Sequence, residues 1–79
     1  MGEFDGGKEK FLQVVKNIDP AVEVVIPVVP SRGIFLVSFT KAGQRKFLTI
    51  SEDDILDLPE DPDILKKVTG EVQGSITTF

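Results

Sequence analysis

Two tripeptides ending in glycine, Ser31-Arg32-Gly33 and Lys41-Ala42-Gly43, divide the middle of this chain into three apolar runs of strand length. The runs are Val22–Val29, Ile34–Thr40 and Arg45–Ile50. Short glycine-bearing breaks between such runs are hairpin signals, because glycine takes the positive φ that a tight reversal needs. The three runs therefore read as an antiparallel meander. With each tripeptide taken as a type I turn closed by a left-handed glycine bulge, Thr40 faces Gln44 and Pro30 faces Ile34. In that register Leu36 faces Leu48, Ile34 faces Ile50, Val37 faces Phe47 and Phe39 faces Arg45. Val28 then faces Leu36, and Val25 faces Phe39. Pro27 and Pro30 have no N–H to donate to a ladder, so Val22–Val29 is expected at an edge and Ile34–Thr40 at the centre.

Helical signals flank the meander. Phe11, Val15 and Ile18 recur at i, i+4 and i+7 over Lys8–Ile18, with Leu12 and Val14 beside them, and Asp19-Pro20 stops the pattern. After the strands, Ser51 is a good N-cap with Asp54 three residues on, and Ile55, Leu56 and Leu58 precede Pro59. Asp61-Pro62 is a second start, with Asp as N-cap and Pro at the first helical position. Ile64, Leu65 and Val68 form its stripe, and Gly70 is the expected stop. The fold class is α+β, a single small domain in α-β-β-β-α(α) order with a three-stranded antiparallel meander and helices packed on one face. Residues 1–7, rich in glycine, are expected to be a disordered leader, and residues 8–79 the domain. Glu71–Phe79 is expected as either a fourth strand or a loose tail.

Seventy-nine residues bound what this domain can do. A core of this size supplies only about 3–5 kcal/mol without a further staple. The chain has no cysteine for a disulfide and no histidine or cysteine for a structural zinc. An unusually good core or oligomerisation remains. The start Met1-Gly2-Glu3-Phe4-Asp5 is acidic, unlike a secretory signal, and no apolar stretch is long enough to span a bilayer. A cytoplasmic protein off the membrane is expected. Net charge is −4, and the acid is concentrated late: residues 51–79 carry eight acidic and two basic side chains.

In the expected register neither sheet face is polar. The even-numbered side carries Val22, Val24, Ile26, Val28, Ile34, Leu36, Leu48 and Ile50, and matches the helical stripes as core. The odd-numbered side would display Val25, Val29, Phe35, Val37, Phe39 and Phe47. A patch that apolar is rarely left open on a monomer, so it is expected to be covered by the C-terminal segment, by a second copy or by another protein. Val25, Val29, Phe35, Val37, Phe39 and Phe47 are accordingly the candidate protein interface, with a homodimer as the expected oligomer.

Enzymatic chemistry has little to work with. No His-assisted nucleophile and no cysteine or tyrosine catalysis is open to this composition. No phosphate-binding glycine loop lies between a strand and a helix. No catalytic residue, cofactor or metal is expected. The acidic residues Glu52, Asp53, Asp54, Asp57, Glu60, Asp61 and Asp63 lack the alternation and central glycine of an EF-hand, although a weak divalent-cation or small-ligand site is an alternative. Segment Arg32–Phe39 resembles the RNA-recognition signature at Arg32, Gly33, Val37 and Phe39, but Ile34 and Leu36 stand where aromatic rings would stack bases. The element order is similar to that of double-stranded-RNA-binding domains, yet Asp61-Pro62-Asp63 puts acid where those hold phosphate. Nucleic acid therefore enters only as the alternative of a basic hairpin made by Lys41, Arg45 and Lys46. The reading is a non-enzymatic interaction or assembly module working through an apolar sheet face.

Overall fold

The computed structural model describes residues 4–78. Helix α1 spans Asp5–Ile18, strands β1, β2 and β3 span Glu23–Val25, Ile34–Lys41 and Gln44–Ser51, and helices α2 and α3 span Glu52–Asp57 and Pro62–Ile76. The sheet is antiparallel in the order β1-β2-β3. The α+β class, the meander and the helix order are those expected.

Both hairpin turns are tighter than expected. Arg32 and Gly33 have φ of 54° and 76°, and Ala42 and Gly43 have 52° and 79°. Two consecutive left-handed residues make a two-residue type I′ loop, whose twist matches that of the flanking strands. Lys41 therefore pairs with Gln44 directly, and the β2–β3 ladder runs Phe35 with Ile50, Val37 with Leu48 and Phe39 with Lys46. The loop is one residue shorter than in the expected register. A slip of one residue turns every side chain of one strand to the opposite face. The odd residues of β2 therefore share a face with the even residues of β3, and Phe47 is separated from Phe35, Val37 and Phe39.

The first hairpin carries an irregularity. Val25 pairs with Ser38, and Ser31 with Ile34, so residues 26–30 stand opposite only residues 35–37. Pro27 and Pro30 lie in that surplus, and β1 is cut to Glu23–Val25. Lacking donors there, the chain bows out of the ladder. It returns at Ser31, whose N–H donates to Ile34 O at 2.9 Å while Ile34 N–H donates to Ser31 O at 3.1 Å.

The helices cover one face of the sheet. Phe35, Val37, Phe39 and Ile50 from the strands meet Phe11 and Val15 of α1, Ile55 of α2, and Val68, Val72 and Ile76 of α3 in one buried cluster. The Phe11 and Phe39 rings stack with centroids 6.1 Å apart, and the Phe4 ring meets Phe35 edge-on at 5.0 Å. The Phe4 contact accounts for an early helix start. Asp5, Gly6 and Gly7, expected as part of a disordered leader, form the first turn of α1, and Gly7 is buried. Residues 1–3 lie outside the described residues.

The N-caps of α2 and α3 are as the sequence implies. The Asp54 N–H donates to Ser51 Oγ at 3.2 Å, and the Asp63 N–H donates to Asp61 Oδ1 at 2.9 Å. Helix α3 passes its expected stop, however, and most of the expected strand or tail is helix. Ile64, Val68, Val72 and Ile76 repeat every fourth residue across Gly70 and Gly74, so they form one row down the helix. Burying Val72 and Ile76 is worth about 1.5–3 kcal/mol each, which outweighs roughly 1 kcal/mol per exposed helical glycine. Phe79 lies outside the described residues.

Candidate protein-docking face

With all three helices on one side, the other side of the sheet is open. Its side chains stand in four rows. Glu23, Thr40 and Arg45 form one row across the three strands, and Val25, Ser38 and Phe47 form the next. Leu36 with Thr49 and Ile34 with Ser51 complete the face. Val25 is 63% exposed, Phe47 58%, Leu36 52% and Ile34 44%. Val25 and Phe47 flank Ser38 from either side, and Leu36 is diagonal to Phe47, close enough for large side chains to touch. The result is an apolar patch edged by hydroxyls, with one carboxylate and one guanidinium.

The six residues expected to form an interface divide. Val25 and Phe47 lie on this open face, and Val29 is exposed in the β1–β2 connection. Phe35, Val37 and Phe39 are fully buried under the helices, which corrects their assignment to a docking surface. Ile34 and Leu36, expected as core, take their place. The signal for the exchange lay in the turns. A two-residue loop with glycine second is the type I′ pattern, even where its first residue is Ala or Arg rather than Asn.

The basic hairpin does not form one patch. Lys41 is on the helix side, where its Nζ donates to Asp19 Oδ2. Lys46 pairs with Phe39 on that same side, whereas Arg45 pairs with Thr40 on the open side. Asp19 also accepts from the Ala21 N–H at 3.0 Å. The Lys41 hydrogen bond, and then that of Ala21, hold its carboxyl below the usual carboxylate range.

The acidic segment is drawn into structure. Asp61 caps α3, and Asp54 accepts from Lys67 Nζ at 3.1 Å, which raises the Lys67 ammonium above its ordinary value. Among the described residues no three Asp or Glu side chains converge as metal ligands, and no helix is long and apolar enough to cross a membrane.

Two further features border the core. Lys8 of α1 donates from Nζ to Val28 O at 2.8 Å and lies 5.3 Å from the centroid of the Phe35 ring, clamping the bowed proline segment to the helix layer. Between α1 and α3 a shallow cleft of about 500 Å³ has Val14, Ile18 and Leu65 on its floor and Lys10, Gln13 and Gln73 at its rim. It is lined by no carboxylate, and the Thr69 hydroxyl on its wall donates to Leu65 O at 2.6 Å.

No protein-family model matches the chain, and comparison with curated proteins and with solved structures returned no match.

Proposed function

We propose that this chain is a non-enzymatic interaction and assembly module whose contact surface is the open sheet face. One observation carries the reading: Val25, Ile34, Leu36 and Phe47 are all exposed on one face while every helix packs on the other. Each of these side chains is only about half covered and so forfeits on the order of 1 kcal/mol of the roughly 1.5–3 kcal/mol that full burial brings. A domain with a core worth about 3–5 kcal/mol gains substantially by covering them. The composition supports the non-enzymatic part, since the chain contains no histidine, cysteine or tyrosine. So does the use of Asp19, Asp54 and Asp61 in caps and ion pairs.

The test is the size of the native species in freshly lysed host cells. The parent should elute in gel filtration as an assembly larger than its 8.7 kDa mass. Phe47→Asp, which places a charge at the centre of the patch, should move it to the monomer position while leaving the helical circular dichroism intact. A parent that elutes as a monomer both from the lysate and when loaded pure at about 500 µM, or a Phe47→Asp variant that stays in the assembly, refutes the reading.

A further inference from the structure

Building on that reading, we infer that the open face is self-complementary and that its occupant is a second copy of this chain, related by a two-fold axis running along β2. The pattern of the rows carries this. Among the described residues of the face, Glu23 is the only acid and Arg45 the only base, and they stand in the same row on opposite sides of the central strand. Two sheets pack face to face with their strands nearly aligned. A two-fold axis parallel to β2 exchanges the outer strands and keeps each row at its own level. Glu23 of one copy then meets Arg45 of the other, and the same pair forms again by symmetry.

The apolar residues follow the same rule. Phe47 lies over Val25 of the second copy, Val25 over Phe47, and Leu36 and Ile34 over themselves. A two-fold axis across the strands does the reverse: it sets Leu36 against Ser38 and leaves Arg45 opposite the Thr49–Ser51 end. Only the first arrangement matches both charge and grease. The face itself is neutral, although the chain carries a net charge of −4, so it is the part of the surface where two copies meet without repulsion. Among the described residues neither Glu23 nor Arg45 is in an ion pair, so both are available.

Size sets the strength. A face of three strands up to eight residues long covers at most roughly 400 Å² in projection, against roughly 800 Å² per partner in a standard interface. The dimer is therefore expected to be weak and to dissociate on dilution. Reversing one charge replaces both attractive pairs with repulsive ones, because each residue is used twice.

Sedimentation equilibrium on purified protein, from about 1 to 200 µM, tests the arrangement. Glu23→Arg alone and Arg45→Glu alone should each weaken the dimer about tenfold at low salt. An equimolar mixture of the two should pair as a heterodimer with affinity within about threefold of the parent, since it rebuilds both ion pairs. The double variant in one chain should do the same. Single reversals that leave the affinity unchanged, or a mixture no tighter than either variant alone, overturn the two-fold arrangement. If Phe47→Asp still abolishes the assembly in that case, the docking face stands and only its geometry falls. A purified parent that stays monomeric while the cell lysate holds a larger assembly assigns the face to a different protein and overturns the second copy as occupant.

Discussion

Gly7 is where the packing of this fold is tightest. A Cβ built on it would lie 1.9 Å from the Ile55 carbonyl oxygen and 2.7 Å from the Ile55 carbonyl carbon. Ordinary contact begins at about 3.4 Å, so α1 would have to retreat from α2 by roughly 1.5 Å, and backbone rather than a flexible side-chain tip would have to move. That retreat would loosen Phe11 and Ile55, both fully buried. Overpacking of this kind costs about 1–3 kcal/mol. Alanine's better helix propensity returns little in a first turn. We expect Gly7→Ala to remove about 2 kcal/mol, close to half of what a domain this small has. Gly70 and Gly74 provide the control: both are helical and exposed, and a Cβ at either meets nothing within 4 Å. Alanine there should add about 0.5–1 kcal/mol each. Urea unfolding followed by circular dichroism reads the contrast, with a slope near 1 kcal/mol/M making the midpoint shifts about −2 M and +0.5 to +1 M. The measurements belong in a Phe47→Asp background, so that association adds nothing to stability. A Gly7→Ala midpoint equal to or above the parent's would refute the claim that α1 and α2 touch backbone to backbone.

Two more outcomes follow from the geometry. Ala42 holds a left-handed φ of 52° that costs a residue with a Cβ about 1 kcal/mol; Ala42→Asn, which tolerates that region, should raise the urea midpoint by about 0.5–1 M, and an unchanged or lower midpoint contradicts a type I′ loop. Because the Asp19 carboxyl is lowered from 3.8 in the folded chain, its stabilising effect is present above the unfolded value and lost as pH falls through the folded one. Asp19→Asn should thus be less stable than the parent at neutral pH and converge with it in acid, whereas a gap that persists below pH about 2 would show that Asp19 acts through packing rather than charge.

The sequence made the elements legible and the faces not. Ser51 and Asp61-Pro62 advertised their helix starts because capping is local: the side chain bonds an N–H two or three residues away. The meander was legible for the same reason, since a reversal is announced by the glycines at its centre. Register is different. It depends on whether Lys41-Ala42-Gly43 contributes two or three loop residues, and the conformation of Ala42 decides that. A non-glycine residue at positive φ is the less common choice, and here it moves Phe35, Val37 and Phe39 from open face to core. The tail failed for a related reason: Gly70 is a legitimate stop locally, and it is overruled by a row of side chains that closes only against the sheet. Val25 and Phe47 stand on the open face, and Ile34 and Leu36 reach it only in the observed register.

The chemistry of the two faces of β2 bears on what this fold is for. Its buried side is aromatic and valine, Phe35, Val37 and Phe39, and every one of them touches a helix layer. Its open side is Ile34, Leu36, Ser38 and Thr40, apolar at one end and hydroxyl-bearing at the other. A strand built only to face water would carry charge along that side, which is also how edges and faces are kept from sticking. The two charges present, Glu23 and Arg45, flank the hydroxyl end of the central strand, and the apolar end has none. Charges in that position do not screen the patch from a partner. They leave the grease accessible and fix the direction from which it is approached, and a surface meant to select its own copy needs that combination.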